Sequence, residues 1–234
     1  MKTLRVSEHF YSIQGEGPTV GVPAIFVRLQ GCNLNCGHAG GGWICDTVDV
    51  WKKGIPHDID DWHDYFLKMY QRPLFLGANI IITGGEPLLQ QSSLADWLSR
   101  FERTPFIEVE TNGTIMPEPE LSRYISQWNV SPKLSNSGES INRRLKRDTL
   151  KWFLQHDHSI FKFVVSSEGD INDIKTLYPL IDEWPIRRKY LMPAADSKTK
   201  LETIYPSIID LCKTHGFSLS QRFHLSIWDQ TTGV

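Results

Sequence analysis

Short, strongly apolar runs alternate along the chain with longer amphipathic stretches. The runs AIFVRL (24–29), NIIIT (79–83), FIEVE (106–110), WNVS (128–131), IFKFVVS (160–166), KYLM (189–192) and RFHLSI (222–227) have the length and the β-branched or aromatic content of strands. Helical periodicity falls near 60–71, 92–103, 118–126, 146–156, 170–181 and 199–215. Ser92 and Ser93 precede LADWLSRF, and Asp170 precedes INDIKTLYPL, as N-caps should. Several strands are nearly continuous apolar runs, which suits a parallel sheet covered by helices. Repeated right-handed crossovers curl such a sheet into a full or partial barrel, so the expected class is α/β with helices outside a mostly parallel sheet. A length of 234 residues fits one domain. The segment PKLSNSGES (132–140) reads as a flexible excursion rather than a linker.

Composition narrows the partners. With 40% hydrophobic residues, 22% charged residues and a net charge of -2, the chain has no global positive field to draw it to nucleic acid or an anionic membrane. The basic cluster Arg143, Arg144, Lys146 and Arg147 reads as a solvated helix face or loop. No stretch approaches the roughly 18–20 apolar residues of a membrane span. MKTLRVSEHFYSIQGEG contains no apolar secretory core, so a cytoplasmic location with reduced thiols is expected.

In a parallel sheet chemistry gathers at the carboxyl ends of the strands. There GCNLNC follows AIFVRL, TGGEP follows NIII, ETNG follows FIEV, SPK follows WNV and MPAAD follows KYL. Cys32, Cys36 and Cys45 fall within fourteen residues, whereas Cys212 stands alone in SIIDLCKTHGF and reads as an inert core residue. Three thiolates on one loop can hold three irons of a cubane and leave the fourth open to a chelating ligand. On the cysteines alone a zinc site completed by His38 is the lesser alternative, since His38 sits in the Gly-rich insertion HAGGG and reads as a passenger there.

The cysteine loop and the later Gly84-Gly85-Glu86-Pro87 segment together resemble the radical S-adenosylmethionine superfamily. That superfamily carries C-x3-C-x2-C and a GGEP segment that receives the methionyl amine. The chain departs from it in one place, reading C-x3-C-x8-C with GHAGGGWI in the second interval. Its glycines are expected to let the longer loop bulge outward while Cys45 still reaches the cluster. More specifically, FYSIQGEG (10–17), GVP (21–23), FVRL (26–29), GCNL (31–34), Cys45-Asp46-Thr47, Thr83 through Pro87, ETNG (110–113) and SPK (131–133) resemble the 7-carboxy-7-deazaguanine synthase family. The resemblance is dense up to Lys133 and thins afterwards to MPAAD, Arg222-Phe223-His224 and Trp228.

The resemblance implies one radical S-adenosylmethionine domain over 1–234 with a cluster loop at 31–47, folded as a partial (β/α)6-type barrel. It implies a [4Fe–4S] cluster on Cys32, Cys36 and Cys45, S-adenosylmethionine, and Mg²⁺ at Thr47, for which a helix N-cap is the competing role. The cofactor would lie along Gly84, Gly85, Glu86, Pro87, Glu110, Ser131, Pro132 and Lys133, with the Glu86 contribution through its backbone. The substrate, 6-carboxy-5,6,7,8-tetrahydropterin, would meet Ile13, Gln14, Gly15, Glu16, Arg28, Thr83 and His224. An amide and a carboxylate at Gln14 and Glu16 suit a pterin edge, and Arg28 suits a carboxylate, with a structural salt bridge as its alternative. A core histidine is the alternative for His224, and a turn former is the alternative for Asn112. Asp46 is expected to orient polar neighbours.

The implied reaction is hydrogen abstraction from C6 of the pterin by a cofactor-derived radical, then ring contraction and loss of ammonia. No protein residue would carry the radical step. A flavodoxin- or ferredoxin-type electron donor and a homodimer belong to the same implication. The rival functions are a glycyl-radical-enzyme activase and a non-catalytic zinc-binding module.

Overall fold

The apolar runs pair edge to edge into one nine-stranded sheet in a computed structural model that describes residues 2–37, 40–179, 181–231 and 233. In chain order its strands are β1 (Thr3–Ile13), β2 (Pro23–Leu29), β3 (Ile55–Asp58), β4 (Asn79–Gly84), β5 (Ile107–Thr111), β6 (Gln127–Val130), β7 (Ser159–Val165), β8 (Lys189–Pro193) and β9 (Ser218–Leu219). The spatial order is β3-β1-β2-β4-β5-β6-β7-β8-β9. Every neighbouring pair from β2 to β9 is parallel. Strand β1 instead pairs antiparallel with both β2 and β3. The sheet is an open partial barrel, as expected, widened by an antiparallel edge that the apolar pattern did not reveal.

The helices are α1 (Val48–Trp51), α2 (Ile59–Phe75), α3 (Gln91–Leu98), α4 (Pro119–Ser122), α5 (Ile141–Arg144), α6 (Arg147–Leu154), α7 (Glu168–Leu177), α8 (Lys198–His215) and α9 (Phe223–Trp228). Each long helix buries an apolar stripe on the sheet. Trp62 and Phe66 of α2, Leu94 and Trp97 of α3, Phe153 of α6, Ile171 and Ile174 of α7 and Ile208 of α8 share one core with Ile25, Val27, Ile80, Ile82, Val109, Phe161 and Phe163. Helix α2 starts where the Asp58 carboxylate accepts from the Asp60 and Asp61 amides at 2.9 and 3.4 Å. None of the helices in the described residues is long and apolar enough to cross a membrane.

Because side chains alternate along a strand, the residues between these core positions face the other side. That inner face carries Phe26, Arg28, Thr83, Glu110, Asn129, Lys162, Val164 and Met192, all lining one cavity. The sheet therefore has an apolar face that binds helices and a mixed polar face that builds the site.

Several expectations change. RFHLSI is not a strand: residues 223–228 form α9, and the sheet edge is taken by β9. Alternation over five residues does not distinguish a strand from a short helix. Arg222, just before α9, pairs with Glu16 and Asp46. Ser92 and Ser93 lie inside α3, whose N-cap is Gln90. Asp170 is the N3 partner of a capping box begun by Ser167. The basic cluster is not simply solvated, since Arg144 is buried with Nη1 donating to the Lys133 carbonyl at 3.1 Å. Cys212 is buried in the core as expected, and burial pushes its thiol up to about 11.

Replacing fully buried Phe66 by Ala should cost about 3–5 kcal/mol, because the cavity left between α2 and α3 cannot close. Urea unfolding at unchanged m-value would show it.

Candidate active site

The cysteine loop leaves the end of β2 and is fastened on two sides. On the sheet side the Gly31 amide donates to the Trp51 carbonyl at 3.0 Å, and the Glu86 amide donates to the Gly31 carbonyl at 2.8 Å. Asn33 Nδ2 donates to Thr114 Oγ1 at 2.8 Å, and Asn112 Nδ2 donates to Asn33 Oδ1 at 2.9 Å. Asn112 is thus a tie between loops as well as a turn former, since its Oδ1 also accepts from the Thr114 amide at 3.0 Å.

On the other side stands the segment expected to be a flexible excursion. Instead, residues 134–139 brace the insertion. The Gly37 amide donates to the Ser137 carbonyl at 2.8 Å, the Gly42 amide to the Asn136 carbonyl at 2.7 Å, and Trp43 Nε1 to Asn136 Oδ1 at 3.0 Å. The Asn35 amide donates to the Glu139 carboxylate, and Arg143 Nη2 donates to the Asn33 carbonyl at 2.6 Å. Composition alone suggested mobility, but these donors on the insertion need acceptors when it packs inward. Gly37 has φ +89°, and a Cβ there would meet Ile44 Cα and the Trp43 carbonyl oxygen at 2.6 Å. The insertion therefore folds back tightly on its own end. His38, proposed as a zinc ligand, lies outside the described residues.

Cys32, Cys36 and Cys45 are free thiols lining the same cavity. The Leu34 amide points at Cys32 Sγ at 3.5 Å, and Thr47 Oγ1 lies 3.5 Å from Cys45 Sγ. Burial pushes Cys32 up to about 11 and also raises Cys36, while Lys133 acts against both shifts. Three free thiols on one cavity wall with a cation nearby suit an iron–sulfur group whose fourth side is open. Among the described residues no three His, Cys, Asp or Glu side chains are grouped to hold a single metal ion. Thr47 occupies the N-cap position of α1 but makes no side-chain cap bond there.

Beneath the loop, the Glu86 carboxylate is 0% exposed and faces away from the cavity. It accepts from the Asn112 and Leu88 amides at 2.7 and 3.0 Å and from Thr111 Oγ1 at 2.9 Å. Burial raises its pKa, with these donors opposing. Glu86 thereby locks the GGEP turn to the end of β5, and Gly84 and Gly85 remain on the cavity wall.

Elsewhere on the cavity, buried Lys162 and Arg222 face Glu16. Its carboxylate pairs with Lys162 of β7 and lies 3.4 Å from Arg222, which also pairs with Asp46 of the cysteine loop. Burial would raise the Glu16 carboxyl, but Lys162, Arg222 and His224 hold it down at about 2. Gln14 accepts from the Glu16 amide at 3.2 Å and donates to Glu110 at 3.5 Å. His224, on α9, has its pKa lowered by burial, and a Cβ on Gly15 would stand 2.6 Å from its Nδ1. Arg28 Nε donates to Glu8 at 2.7 Å, so the salt bridge weighed for it is present, and both residues line the cavity.

One cavity of about 530 Å³ thus collects the three cysteines, Thr47, Ile13, Gln14, Gly15, Glu16, Arg28, Thr83, Gly84, Gly85, Glu110, Ser131, Lys133 and His224. The Glu86 side chain, Pro87 and Pro132 are not on its surface. Sequence reasoning overlooked Lys162, Asn129 and the pairing of Arg222 with Asp46. A lone lysine inside the apolar run IFKFVVS was the available signal for the first, because a buried charge demands partners. Nothing comparable marked Asn129, whose Oδ1 is buried without a hydrogen-bond partner.

No protein-family model matches the chain. Among curated proteins it is 32% identical over 233 residues to 7-carboxy-7-deazaguanine synthase of Pyrobaculum aerophilum, covering 98% of this chain and 97% of that one. It is 32% identical over 239 residues to 7-carboxy-7-deazaguanine synthase of Escherichia coli K12, covering 94% and 96%. Among solved structures it matches QueE from Escherichia coli with a TM-score of 0.69 at 26% identity, over 96% of both chains. Streptococcus suis SuiB shares the fold alone, with a TM-score of 0.52 at 14% identity over 80% of this chain and 46% of that one.

A Cβ at Gly85 would stand 2.5 Å from Cys32 Cβ and closer still to the Gly31 carbonyl. Gly85→Ala should therefore displace the cysteine loop, and the protein reconstituted anaerobically with iron and sulfide should retain little of either by chemical analysis. Wild-type iron content in that variant would contradict the close packing.

Proposed function

Since the chain belongs to the 7-carboxy-7-deazaguanine synthase family of radical S-adenosylmethionine enzymes, we propose that the cavity lined by the three cysteines receives the cluster and cofactor on one side and the pterin on the other. The chain is a lyase that converts 6-carboxy-5,6,7,8-tetrahydropterin to 7-carboxy-7-deazaguanine with loss of ammonia. The observation that carries the site assignment is the placement of three free thiols, buried Gln14 and the partly buried Glu16 on one cavity of about 530 Å³.

Cys32, Cys36 and Cys45 would hold the [4Fe–4S] cluster, and Gly84, Gly85, Ser131 and Lys133 would flank S-adenosylmethionine, with Glu110 toward its ribose hydroxyls. When bound, these groups supply the one-electron chemistry that removes a hydrogen atom from the pterin. The residues of the chain supply placement and exclusion of water. Gly85 lets the backbone approach without a side chain in the way. Glu16, kept ionised by its cationic neighbours, accepts from the donor edge of the pterin, and the Gln14 amide matches a second ring position. Arg28 presents the cation for the substrate carboxylate. Thr83 and His224 close the pterin side.

We further infer that Thr47 contributes its hydroxyl to Mg²⁺ shared with the substrate, since that ion keeps several waters and takes few protein oxygens. What supports this is a hydroxyl on the cavity wall with no capping bond of its own. The family resemblance supports a single domain over 1–234 with its cluster loop at 31–47, a flavodoxin- or ferredoxin-type electron donor, a homodimer and a cytoplasmic setting.

Anaerobic incubation with the carboxy-tetrahydropterin, S-adenosylmethionine, Mg²⁺ and a reductant should yield 7-carboxy-7-deazaguanine, detected by mass. Cys45→Ala should abolish it together with the cluster, and full activity in that variant would remove Cys45 from the ligand set. Thr47→Ala should raise the Mg²⁺ concentration needed for half-maximal turnover by about tenfold, the loss of one good ligand contact. An unchanged metal response would take Thr47 out of the site.

A further inference from the structure

Lys162 has no part in the assignments above, yet it stands between them. Its side chain projects from the inner face of β7 into the cavity wall and is 4% exposed. It forms an ion pair with Glu16, and its Nζ lies 3.8 Å from Glu110 Oε1. Burial alone would lower the lysine pKa, but Glu110 and Glu16 together raise it, so the ammonium is charged.

The two carboxylates depend on it unequally. Glu16 faces Lys162 from β7, Arg222 and His224 from the C-terminal segment, with Glu110 of β5 and Asp46 of the cysteine loop beyond these cations. Lys162 is the foremost of the charges that oppose the effect of burial on Glu16. Arg222 is committed elsewhere as well, to Asp46 and to the Ala195 carbonyl. For Glu110, Lys162 is the cation within salt-bridge distance among the described residues. A single ammonium therefore spans the acceptor given to the pterin and the acceptor given to the cofactor ribose. A carboxylate that loses the cation it faces shifts away from its place, so both acceptors depend on this ammonium.

We propose that Lys162 is a positioning residue that holds the Glu16 and Glu110 carboxylates at a fixed spacing, so that pterin and cofactor are received at the two ends of one ion triad. The proposal rests on the assignment of Glu16 to the pterin and of Glu110 to the cofactor.

The test uses the anaerobic holoenzyme without reductant, so that nothing turns over, and measures binding of the carboxy-tetrahydropterin and of S-adenosylmethionine by calorimetry. Lys162→Met should weaken both ligands by about tenfold or more, the scale of a buried charge pair losing one partner. Its pterin affinity should fall further from about pH 8 to about pH 5.5, because Glu16 has lost the foremost of the charges that oppose the effect of burial on its carboxyl. Lys162→Arg should recover most of the affinity and remove this acid limb, which a residue that merely fills space would not do. Glu16→Gln should weaken the pterin alone and leave S-adenosylmethionine bound as in the wild type. If Glu16→Gln leaves pterin binding intact, the assignment of Glu16 fails and the proposal with it. If Glu16→Gln weakens the pterin while Lys162→Met binds both ligands normally at every pH, only the role of Lys162 is overturned. Should Lys162→Met not fold, the wild type decides. Its pterin affinity is expected to be flat down to about pH 5.5, and an acid limb that disappears in Glu16→Gln would refute the proposal.

Discussion

A carboxylate buried between two cations organises this protein. Glu16 lies in the connection between β1 and β2, Lys162 in the middle of β7, and Arg222 just before the final helix. Taking such charges out of water is expensive unless each finds a partner. The pairing therefore binds three distant stretches of chain into one wall. Arg222 extends the wall to Asp46, next to Cys45, and so joins the C-terminal segment to the cysteine loop. The polar wall and the loop cannot be positioned independently.

A second carboxylate, the fully buried Glu86, is used differently. Among the described residues Glu86 has no ion-pair partner within hydrogen-bond distance; it accepts backbone amides and a hydroxyl at the ends of β4 and β5. Neutral donors suffice because its task is to fix a turn, and the cavity is left to Gly84 and Gly85. Glu16 by contrast lines the cavity and faces cations, which hold its carboxyl down. Burial favours the protonated form in both, and the identity of the neighbours decides the outcome.

The described residues of the interval between Cys36 and Cys45 are held by packing. Its amides find acceptors on residues 134–139, a stretch whose serines, asparagine and glycine leave many backbone groups available. Glycine at 37 permits the reversal that returns the chain to Trp43 and Ile44. Two stretches that look disordered in isolation thus order one another, and Arg143, from a cluster that reads as solvated, closes the contact at Asn33.

Six parallel strands, the helices that cover them and the three cysteines were legible in sequence, because burial on both faces of a strand and close ligand spacing are local signals. So was the identity of the GGEP, ETNG and SPK segments at strand ends. The strand β1 was not legible, since one half of it is only partly buried and its alternation is weak. Nor was α9, where five residues of alternation fit either element. Lys162, the brace at 134–139 and the Arg222–Asp46 pair were decided only by the tertiary structure. Each joins residues far apart in the chain, and the energy of a buried charge or an unpaired amide depends on which partner the fold brings to it. The sequence by itself determined which chemical groups gather at the strand ends; the folded chain decided which of them carry charge and what holds them still.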